Sequence, residues 1–226
     1  MKRIMADLHV HTSISPCASA DMRPSAITGE AVRKGLAMIA VCDHNAAAGV
    51  RAVMEAAAEQ TNSTFGGRGP SVIAGIEITT REEAHVLGWF PSVEAAEAAA
   101  GELQVDATLS SAGTQCSLSE TVDLVHRHGG LAVAAHVDRR SFSVPGQLGF
   151  IPSDVPFDAL EISAAGASRG RAEAFVHLGL PLVSSSDAHF VQDIGAGYTV
   201  LEVEEPGFDE LARALRRREG QGCALA

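Results

Sequence analysis

The sequence lacks several features that mark common functional classes. Only 17 lysine and arginine residues stand against 28 aspartate and glutamate residues, and the resulting net charge of -11 argues against a broad electrostatic surface for nucleic acid. A local basic pocket remains compatible with that balance. No apolar run approaches the roughly 18 residues of a membrane span, and no signal-peptide core follows Met1. We therefore expect a soluble, cytoplasmic protein without a membrane partner.

Cysteine pairs and aromatic side chains are also scarce. The four cysteines form no CxxC pair, which fits thiols that are kept reduced in a cytoplasm. They are Cys17, Cys42, Cys116 and Cys223. The single tryptophan, Trp89, and the adjacent Phe90 offer little for base stacking, whereas Phe142 and Phe150 are better candidates for it.

Apolar runs alternate with amphipathic segments along the chain. The 226 residues, 46% of them hydrophobic, are sufficient for a single domain over 1–226 with a full core. The apolar runs predict strands at 3–10, 38–42, 71–79, 84–90, 131–136, 158–163, 180–187 and 198–203. Helices are predicted at 24–36, 49–60, 169–178 and 208–218, with one more that is capped by Ser119 and ends at Gly129, and loops at 61–70 and 141–156. This alternation predicts a parallel sheet covered by helices, with about seven units closing a barrel.

Polar side chains stand at the ends of these predicted strands. Six of the nine histidines lie at or beside such ends. The polar residues concerned are His9, His11, Asp43, His44, Glu77, His85, His136, Asp187 and His189. Because the carboxyl ends of parallel barrel strands meet on one face, we expect these side chains to converge there. His85 fits this expectation least well, since it lies at the start of its strand.

Each of these residues also has an ordinary explanation. A lone histidine at a strand end is more often a hydrogen-bonded loop residue than a metal ligand. Alternate residues of a strand point the same way, however, so His9 and His11 present two imidazoles to one point. Glu77 would be a costly bare charge in an apolar strand end unless a dication neutralises it, and Asp187 has an alternative role as a helix cap. Two aspartates beside histidines are candidates for orienting ligands by hydrogen bonds: Asp7 and Asp43.

Six segments, taken in order, resemble a known family. DLHVHTSIS, VCDHN, GIEIT, AHVLGWF, AAHVDR and SSSDAH are similar to the successive motifs of the PHP (polymerase and histidinol phosphatase) superfamily, which is related to the amidohydrolases. The likeness runs from about residue 4 to residue 203, and the ordered set is specific although each motif alone is weak. The resemblance implies a distorted (βα)7 barrel that holds two or three divalent metal ions, usually manganese, zinc or iron, and hydrolyses phosphoesters.

The resemblance also implies which residues bind each metal ion. The first ion would be bound by His9, His11, Glu77 and Asp187, the second by Glu77, His85 and His136, and the third by His44 and His189. Members with three metal ions commonly have an aspartate after the serine of the first motif, where this chain has Pro16 and Cys17. Either the third ion binds more weakly here, or Cys17 or Asp21 replaces the missing ligand, and a thiolate would favour zinc or iron over manganese. Cys17 is equally compatible with a small loop residue.

The expected chemistry is hydrolysis of a phosphoester by a metal-activated water. Arg139 would bind the phosphoryl oxygens, with Arg169 or Arg171 as a second candidate, although each also fits a solvated surface arginine. Asp187 or His189 would donate a proton to the leaving oxygen. The acidic balance favours a small phosphorylated metabolite, either a nucleotide or a compound like histidinol phosphate, over extended nucleic acid. A metal-dependent 3′-5′ exonuclease and a metal-binding regulatory module without turnover remain as alternatives, and the sequence does not indicate the oligomeric state.

Overall fold

The computed structural model describes residues 1–61, 69–105 and 113–217. Cys223, most of the predicted 61–70 loop and the end of the last predicted helix lie outside these ranges. No helix in the described ranges is long and apolar enough to cross a membrane.

Strands and helices alternate over most of the chain. The strands are β1 (Lys2–Val10), β2 (Leu36–Val41), β3 (Ser71–Thr79), β4 (His85–Phe90), β5 (Leu131–Ala134), β6 (Ala159–Ser163), β7 (Leu182–Ser185) and β8 (Thr199–Val203). The helices are α1 (Pro24–Arg33), α2 (Val50–Thr61), α3 (Val93–Glu102), α4 (Leu118–Arg127), α5 (Val144–Leu148), α6 (Ala164–Ala167) and α7 (Phe208–Arg216). Two short 3-10 helices cover Arg171–Leu178 and Val191–Asp193.

The strands form one sheet that curves into a nearly closed barrel. Their order is β7-β6-β5-β4-β3-β2-β1-β8. The segment after β7 closes the barrel against the end of β1, because the Ala188 carbonyl accepts a hydrogen bond of 3.0 Å from the His11 N–H. The other half of β1 pairs with β8 in the antiparallel direction. The prediction of a distorted barrel covered by helices is confirmed, with eight strands in the sheet.

The strand β4 runs against both of its neighbours, and this corrects the prediction of an all-parallel sheet. Only residues 80–84 join β3 to β4, and so short a link permits a hairpin but not a parallel crossover. The reversal places the start of β4 beside the end of β3, where Thr79 pairs with His85. His85 therefore lies on the same rim as the carboxyl ends of the parallel strands.

Two clusters of buried apolar side chains hold the sheet. One takes members from all eight strands and from α7, as expected for side chains inside the barrel, and includes Leu8, Leu87 and Trp89. The indole N–H of Trp89 donates to the Leu8 carbonyl at 3.0 Å, so its one polar atom is satisfied. The other cluster lies between the strands and the helices α1 to α4 and includes Ile27.

Three local predictions differ from the structure. The predicted loop at 141–156 contains the short helix α5, which Ser143 caps. The cap of α4 is Ser117, not Ser119, since Ser117 and Glu120 form a reciprocal capping box that starts the helix two residues earlier. The predicted helix at 169–178 is a 3-10 segment between two glycines with positive φ, Gly170 and Gly179, and it buries none of its side chains.

A glycine inside the barrel gives a testable stability prediction. A Cβ at Gly75 in β3 would lie 2.6 Å from the Cys42 sulfur and 2.8 Å from the Val41 carbonyl oxygen, so Gly75→Ala should lower the free energy of unfolding by about 1–3 kcal/mol. A Cβ added at Gly101 in α3 would have no atom within 4 Å, so Gly101→Ala should raise the free energy of unfolding by about 0.5–1 kcal/mol. Urea unfolding measures both. Equal effects of the two substitutions would contradict the prediction.

Candidate metal centre

The structure brings together all eight residues that the sequence analysis assigned as metal ligands. They come from the rim formed by the ends of β1, β2, β3, β5 and β7 and by the start of β4. Seven of the eight form three groups in which all candidate ligand atoms lie within 4.8 Å of one another, and His136 belongs to none of the groups although its Nε2 lies 3.2 Å from Glu77. The groups are His9, His11, Glu77 and Asp187; His44, Glu77 and His85; and His11, His44 and His189.

Glu77 is the centre of this cluster. Its side chain is 1% exposed, and five imidazoles surround its two carboxylate oxygens. The distances to the nearer oxygen are 2.6 Å from His85 Nδ1, 3.0 Å from His44 Nδ1, 3.2 Å from His136 Nε2, 3.3 Å from His11 Nε2 and 3.5 Å from His9 Nε2. One carboxylate therefore belongs to two of the three groups and contacts His11 and His44 of the third, as a bridging ligand would.

Asp187 faces the same centre and caps no helix. Its Oδ1 lies 3.1 Å from His11 Nε2 and 3.3 Å from His9 Nε2. The next helical segment, Val191–Asp193, begins after Phe190 without a side-chain cap. The helix-cap alternative for Asp187 is therefore wrong.

Hydrogen bonds fix which nitrogen of each ring faces the centre. His9 Nδ1 donates to the Glu161 carboxylate at 3.1 Å, and His189 Nδ1 donates to the Asp187 carbonyl at 2.9 Å, because these oxygens can only accept. Ser15 donates its hydroxyl hydrogen to Asp43 at 2.6 Å and thus accepts from His11 Nδ1 at 2.9 Å. The Nε2 lone pairs of His9 and His11 are thus left for the centre, while His189 Nε2 also lies 3.0 Å from the Cys17 sulfur.

Burial and charge oppose each other at these groups. Burial alone would lower the pKa of His9, but the carboxylates of Glu161, Asp187 and Glu77 outweigh it and raise that pKa well above its usual value. Burial alone would raise the pKa of Glu77, but the charges of His85 and His9 and hydrogen bonds from other imidazoles hold it well below its usual range. Without metal ions, protons on His9 and His11 balance the carboxylates.

The imidazole nitrogens and carboxylate oxygens of the centre make poor hydrogen bonds with one another but suit divalent cations. His9 Nε2, His85 Nδ1 and one Glu77 oxygen are buried without a hydrogen bond of acceptable geometry, although each lies near an oppositely charged group. Polar atoms of this kind are costly unless they have a partner. Imidazole and carboxylate donors are the ligands that zinc, iron and manganese use. The centre is therefore compatible with divalent metal ions.

The backbone around the centre is strained. His136, Phe142 and Asp187 have φ values of 29°, 57° and 52°, in a region that residues other than glycine seldom adopt. Such residues concentrate at functional sites, where the surrounding fold holds them. The Phe142 carbonyl accepts from the His85 N–H at 2.8 Å, and its ring stacks on the His85 ring with centroids 5.0 Å apart. Phe142 thus supports a ligand ring, while Phe150 is 61% exposed.

The two aspartates expected to orient ligands act at different places. Asp43 accepts from Thr12 and from Ser15, and through Ser15 it positions His11. Asp7 accepts from the backbone N–H of Ser186 at 3.0 Å, and so holds the segment that carries Asp187. Burial raises the pKa of Asp7 to about 6, against these hydrogen bonds.

Glu161 in β6 is a site residue that the sequence analysis missed. Its carboxylate accepts from His9 Nδ1 and, at 3.0 Å, from the backbone N–H of His136. Its side chain is 1% exposed. The signal was available, because Glu161 stands in the apolar strand ALEIS as Glu77 stands in SVIAGIEIT.

Cys17 and Asp21, the two candidates to replace the missing aspartate ligand, lie at different distances from the centre. Cys17 Sγ lies 3.0 Å from His189 Nε2, at the exposed edge of the centre. Burial raises the pKa of the Cys17 thiol, and the charges of Glu77 and Asp187 add to the rise. Asp21 is exposed. Within the described ranges, its carboxylate makes no hydrogen bond or ion pair with a residue of the metal centre.

The arginines lie to one side of the centre. Arg139 Nη1 donates to the Asp187 Oδ2 at 2.5 Å, so this guanidinium touches the ligand cluster. Arg169 and Arg171 line a cavity that also includes Arg139.

Sequence comparison assigns most of the chain to one family. Residues 7–166 match the family profile described as PHP domain, and residues 168–219 match the profile described as PHP-associated. No curated protein sequence matches the chain.

Several solved structures share the fold. The lesion-specific endonuclease PfuEndoQ from Pyrococcus furiosus has a TM-score of 0.69 and 18% identity, over 96% of this chain and 56% of its own. A two-domain protein from Bacteroides vulgatus, containing a predicted PHP-like metal-dependent phosphoesterase, has a TM-score of 0.64 and 16% identity, over 96% of this chain and 64% of its own. An amidohydrolase from Chromobacterium violaceum, with bound sulfate and no metal, has a TM-score of 0.62 and 18% identity, over 94% of this chain and 96% of its own. The chain thus spans little more than half of the Pyrococcus endonuclease.

Proposed function

Because the chain belongs to the PHP domain family of metal-dependent hydrolases, we propose that it hydrolyses a phosphoester of a small phosphorylated substrate. The observation that carries the proposal is the buried Glu77 carboxylate among five imidazoles, beside Asp187. This donor set suits two or three divalent ions that share one bridging carboxylate.

The residues that would hold the ions follow from the three groups of donor atoms. His9, His11, Glu77 and Asp187 would hold one ion, and Glu77 with His85 and His44 or His136 a second. His44 and His189 would hold a third; His11 Nε2 lies near both, but it is the one free nitrogen of that ring and would bind a single ion. Zinc, iron and manganese are the candidates, since imidazole nitrogen and carboxylate oxygen suit all three.

The protein contributes binding and proton management around these ions. Divalent ions held this closely together acidify a water molecule and neutralise phosphoryl oxygens. Arg139 is placed to orient a phosphoryl group, because its guanidinium lies against Asp187 and its planar fork suits phosphate. Burial alone would raise the pKa of Asp187, but His9 and a hydrogen bond from His11 lower it, so the Asp187 carboxylate stays ionised. His189 is likewise held towards its neutral form, because burial and the charge of His11 lower its pKa. Which of the two donates a proton to the leaving oxygen stays a prediction.

The proposal is tested by a phosphate-release screen in which manganese, iron and zinc are supplied separately. The panel contains p-nitrophenyl phosphate, sugar phosphates, mononucleotides and histidinol phosphate, and His9→Ala serves as the inactive variant. Metal-dependent phosphate release that His9→Ala abolishes supports the proposal. Release of mononucleotides from single-stranded DNA, without release from any small ester, would favour the exonuclease alternative. Bound metal without hydrolysis of any substrate would favour the regulatory module.

Glu161 gives a prediction on metal affinity. Glu161→Gln replaces the carboxylate that accepts from His9 Nδ1 by a neutral amide, so the ring keeps at most a weaker hydrogen bond and loses the negative charge that supports its orientation and basicity. We expect the affinity for the first metal ion to fall by about 10-fold to 100-fold. Competition with a chromogenic zinc chelator measures it. Glu202→Gln on the exposed face of β8 is the matched control and should leave the affinity unchanged; equal affinities in both variants would refute the role of Glu161.

A further inference from the structure

The hydroxyl group of Ser15 lies at the junction of three polar groups beside the metal centre. Its oxygen is 2.6 Å from Asp43 Oδ1, 2.9 Å from His11 Nδ1 and 3.2 Å from the backbone nitrogen of His44. Ser15 is 2% exposed and Asp43 is 1% exposed, so water does not compete for these contacts. A serine hydroxyl can donate one hydrogen bond and accept two. The three contacts therefore use every hydrogen-bonding position of this oxygen.

Asp43 determines the direction of these hydrogen bonds. Its carboxylate oxygens can only accept, so the Ser15 hydrogen points to Asp43 and both lone pairs of the hydroxyl are left for nitrogen donors. The His44 N–H is one of these donors, and His11 supplies the other from Nδ1. With its hydrogen on Nδ1, the His11 ring keeps the Nε2 lone pair for a metal ion.

Asp43 is itself held in place by contacts that involve no metal ligand. Its Oδ1 accepts from the Thr12 N–H at 2.8 Å, and its Oδ2 accepts from the Thr12 hydroxyl at 2.7 Å. A Cβ added at Gly49 would collide with Asp43 Oδ2 and lie 2.7 Å from the Thr12 hydroxyl oxygen, so a glycine is required against this pair. The Ser15 N–H donates to the Thr12 carbonyl at 3.1 Å and closes a turn. The position of the Ser15 hydroxyl is therefore fixed by the protein alone.

The two histidines that contact Ser15 are candidate ligands of different ions. His11 belongs to the donor group of the first ion, whereas His44 would bind the second or the third. Ser15 orients the ring of His11 through its Nδ1 and the backbone of His44 through its N–H. One hydroxyl group is thus the common support of ligands from the segments that follow β1 and β2.

We propose that Ser15 is a positioning residue for two metal ions at once, because its single hydroxyl group fixes both the ring of His11 and the backbone of His44. The inference rests on the proposed function, since it takes the centre to hold divalent ions. Ser15 acts only through the two histidines, because its oxygen has no position left for an ion or a substrate. Loss of the hydroxyl should therefore weaken metal binding and leave the chemistry of the loaded centre almost unchanged.

The test compares Ser15→Ala with Ser13→Ala, a control at an exposed serine of the same loop. We expect Ser15→Ala to lower the affinity for two ions by about 10-fold to 100-fold. It should then release two equivalents of zinc to a chromogenic chelator at a concentration that the wild type and Ser13→Ala withstand. Raising the supplied manganese by about 100-fold should bring phosphoester turnover by Ser15→Ala back to within about threefold of the wild type, since mass action refills the weakened sites. A merely structural defect would not be restored by metal.

Asp43→Asn is a second variant that preserves the shape of the buried side chain, in case Ser15→Ala fails to fold by circular dichroism. Its amide oxygen still accepts from Ser15, but without the negative charge, and charge-assisted hydrogen bonds are about twice as strong as neutral ones. We expect Asp43→Asn to release the same two equivalents of zinc at a chelator concentration between those for Ser15→Ala and the wild type. Retention of zinc like the wild type would contradict the inference.

The outcomes separate this inference from the proposed function. If phosphoesters are hydrolysed but Ser15→Ala keeps its zinc, loses only one equivalent or is not restored by excess metal, the shared role of Ser15 is refuted and the proposed function stands. If nothing is hydrolysed but Ser15→Ala loses two equivalents that Ser13→Ala keeps, the role of Ser15 stands and the proposed function fails. If nothing is hydrolysed and Ser15→Ala keeps its zinc, or if the wild type binds no metal, both are refuted.

Discussion

Glu77→Gln should abolish metal loading and lower phosphoester turnover by about a thousandfold or more. Glu77 lies within 3.5 Å of five imidazoles and takes part in two of the three groups of donor atoms. Its replacement by an amide removes a negative charge that every ion of a shared centre would use. Removal of one partner from a buried, charged cluster costs about 3–5 kcal/mol, and a loss of that size in binding free energy corresponds to roughly a hundredfold to several-thousandfold in affinity before any loss in turnover is counted.

Elemental analysis and phosphate release measure the two effects of Glu77→Gln. Glu97→Gln on α3, where the carboxylate is exposed and pairs with Arg51, is the matched control and should bind metal and turn over substrate like the wild type. Since the buried amide could impair folding, circular dichroism accompanies both measurements, and His44→Asn at the half-buried edge of the centre provides a second variant. A folded Glu77→Gln protein with full metal content would show that Glu77 is not a bridging ligand.

Much of the centre was predictable because ligands at strand ends leave a readable pattern. Histidines and carboxylates in otherwise apolar strand ends are expensive to bury, so their presence at His9, His11 and Glu77 indicated a shared partner before any fold was known. The order of the motifs along the chain then indicated one barrel rim. The structure places these residues together, while the binding of metal by each of them stays a prediction.

The direction of β4 could have been predicted and was not. A link of five residues, 80–84, cannot make a parallel crossover, and that fact alone reverses the strand. With β4 reversed, the position of His85 at the start of its strand is what places it on the rim, within 2.6 Å of Glu77. The apparent exception to the strand-end pattern therefore follows the same geometry.

Other features depend on packing that no local pattern encodes. The cavity lined by Arg139, Arg169 and Arg171 joins side chains from the segment after β5 and from the segment around α6, and their grouping depends on how the barrel closes. The contact of Ala188 with the end of β1 likewise links residues that are far apart in the chain. By contrast, the capping box at Ser117 and Glu120 is a local pattern, and the spacing of those two residues predicts it.

Removal of the metal ions should make the protein's stability fall as the pH rises. In the metal-free protein the raised pKa values of His9 and His11 contribute stability that is present below the usual imidazole pKa of 6.5 and is lost as the pH rises through the folded values. The lowered pKa values of Glu77, Glu161 and Asp187 act in the opposite sense, because their contribution is present above about pH 4.5 and is lost as the pH falls. Metal-free protein should therefore be most stable between these limits and weaken towards pH 8.

Metal ions take the place of the protons, so the loaded protein should not weaken in this way. Ligand at about 100 times its Kd stabilises by about 2.7 kcal/mol, which for a chain of this size raises the Tm by roughly 5–10 °C. The difference in Tm between loaded and chelator-treated protein should grow from pH 6 to pH 8, because imidazoles that lose their protons bind metal more tightly. His126→Gln, which removes a surface pair with Asp158 remote from the rim, should leave that growth unchanged. A difference that shrinks towards pH 8 would mean that protons and metal ions do not compete for these imidazoles.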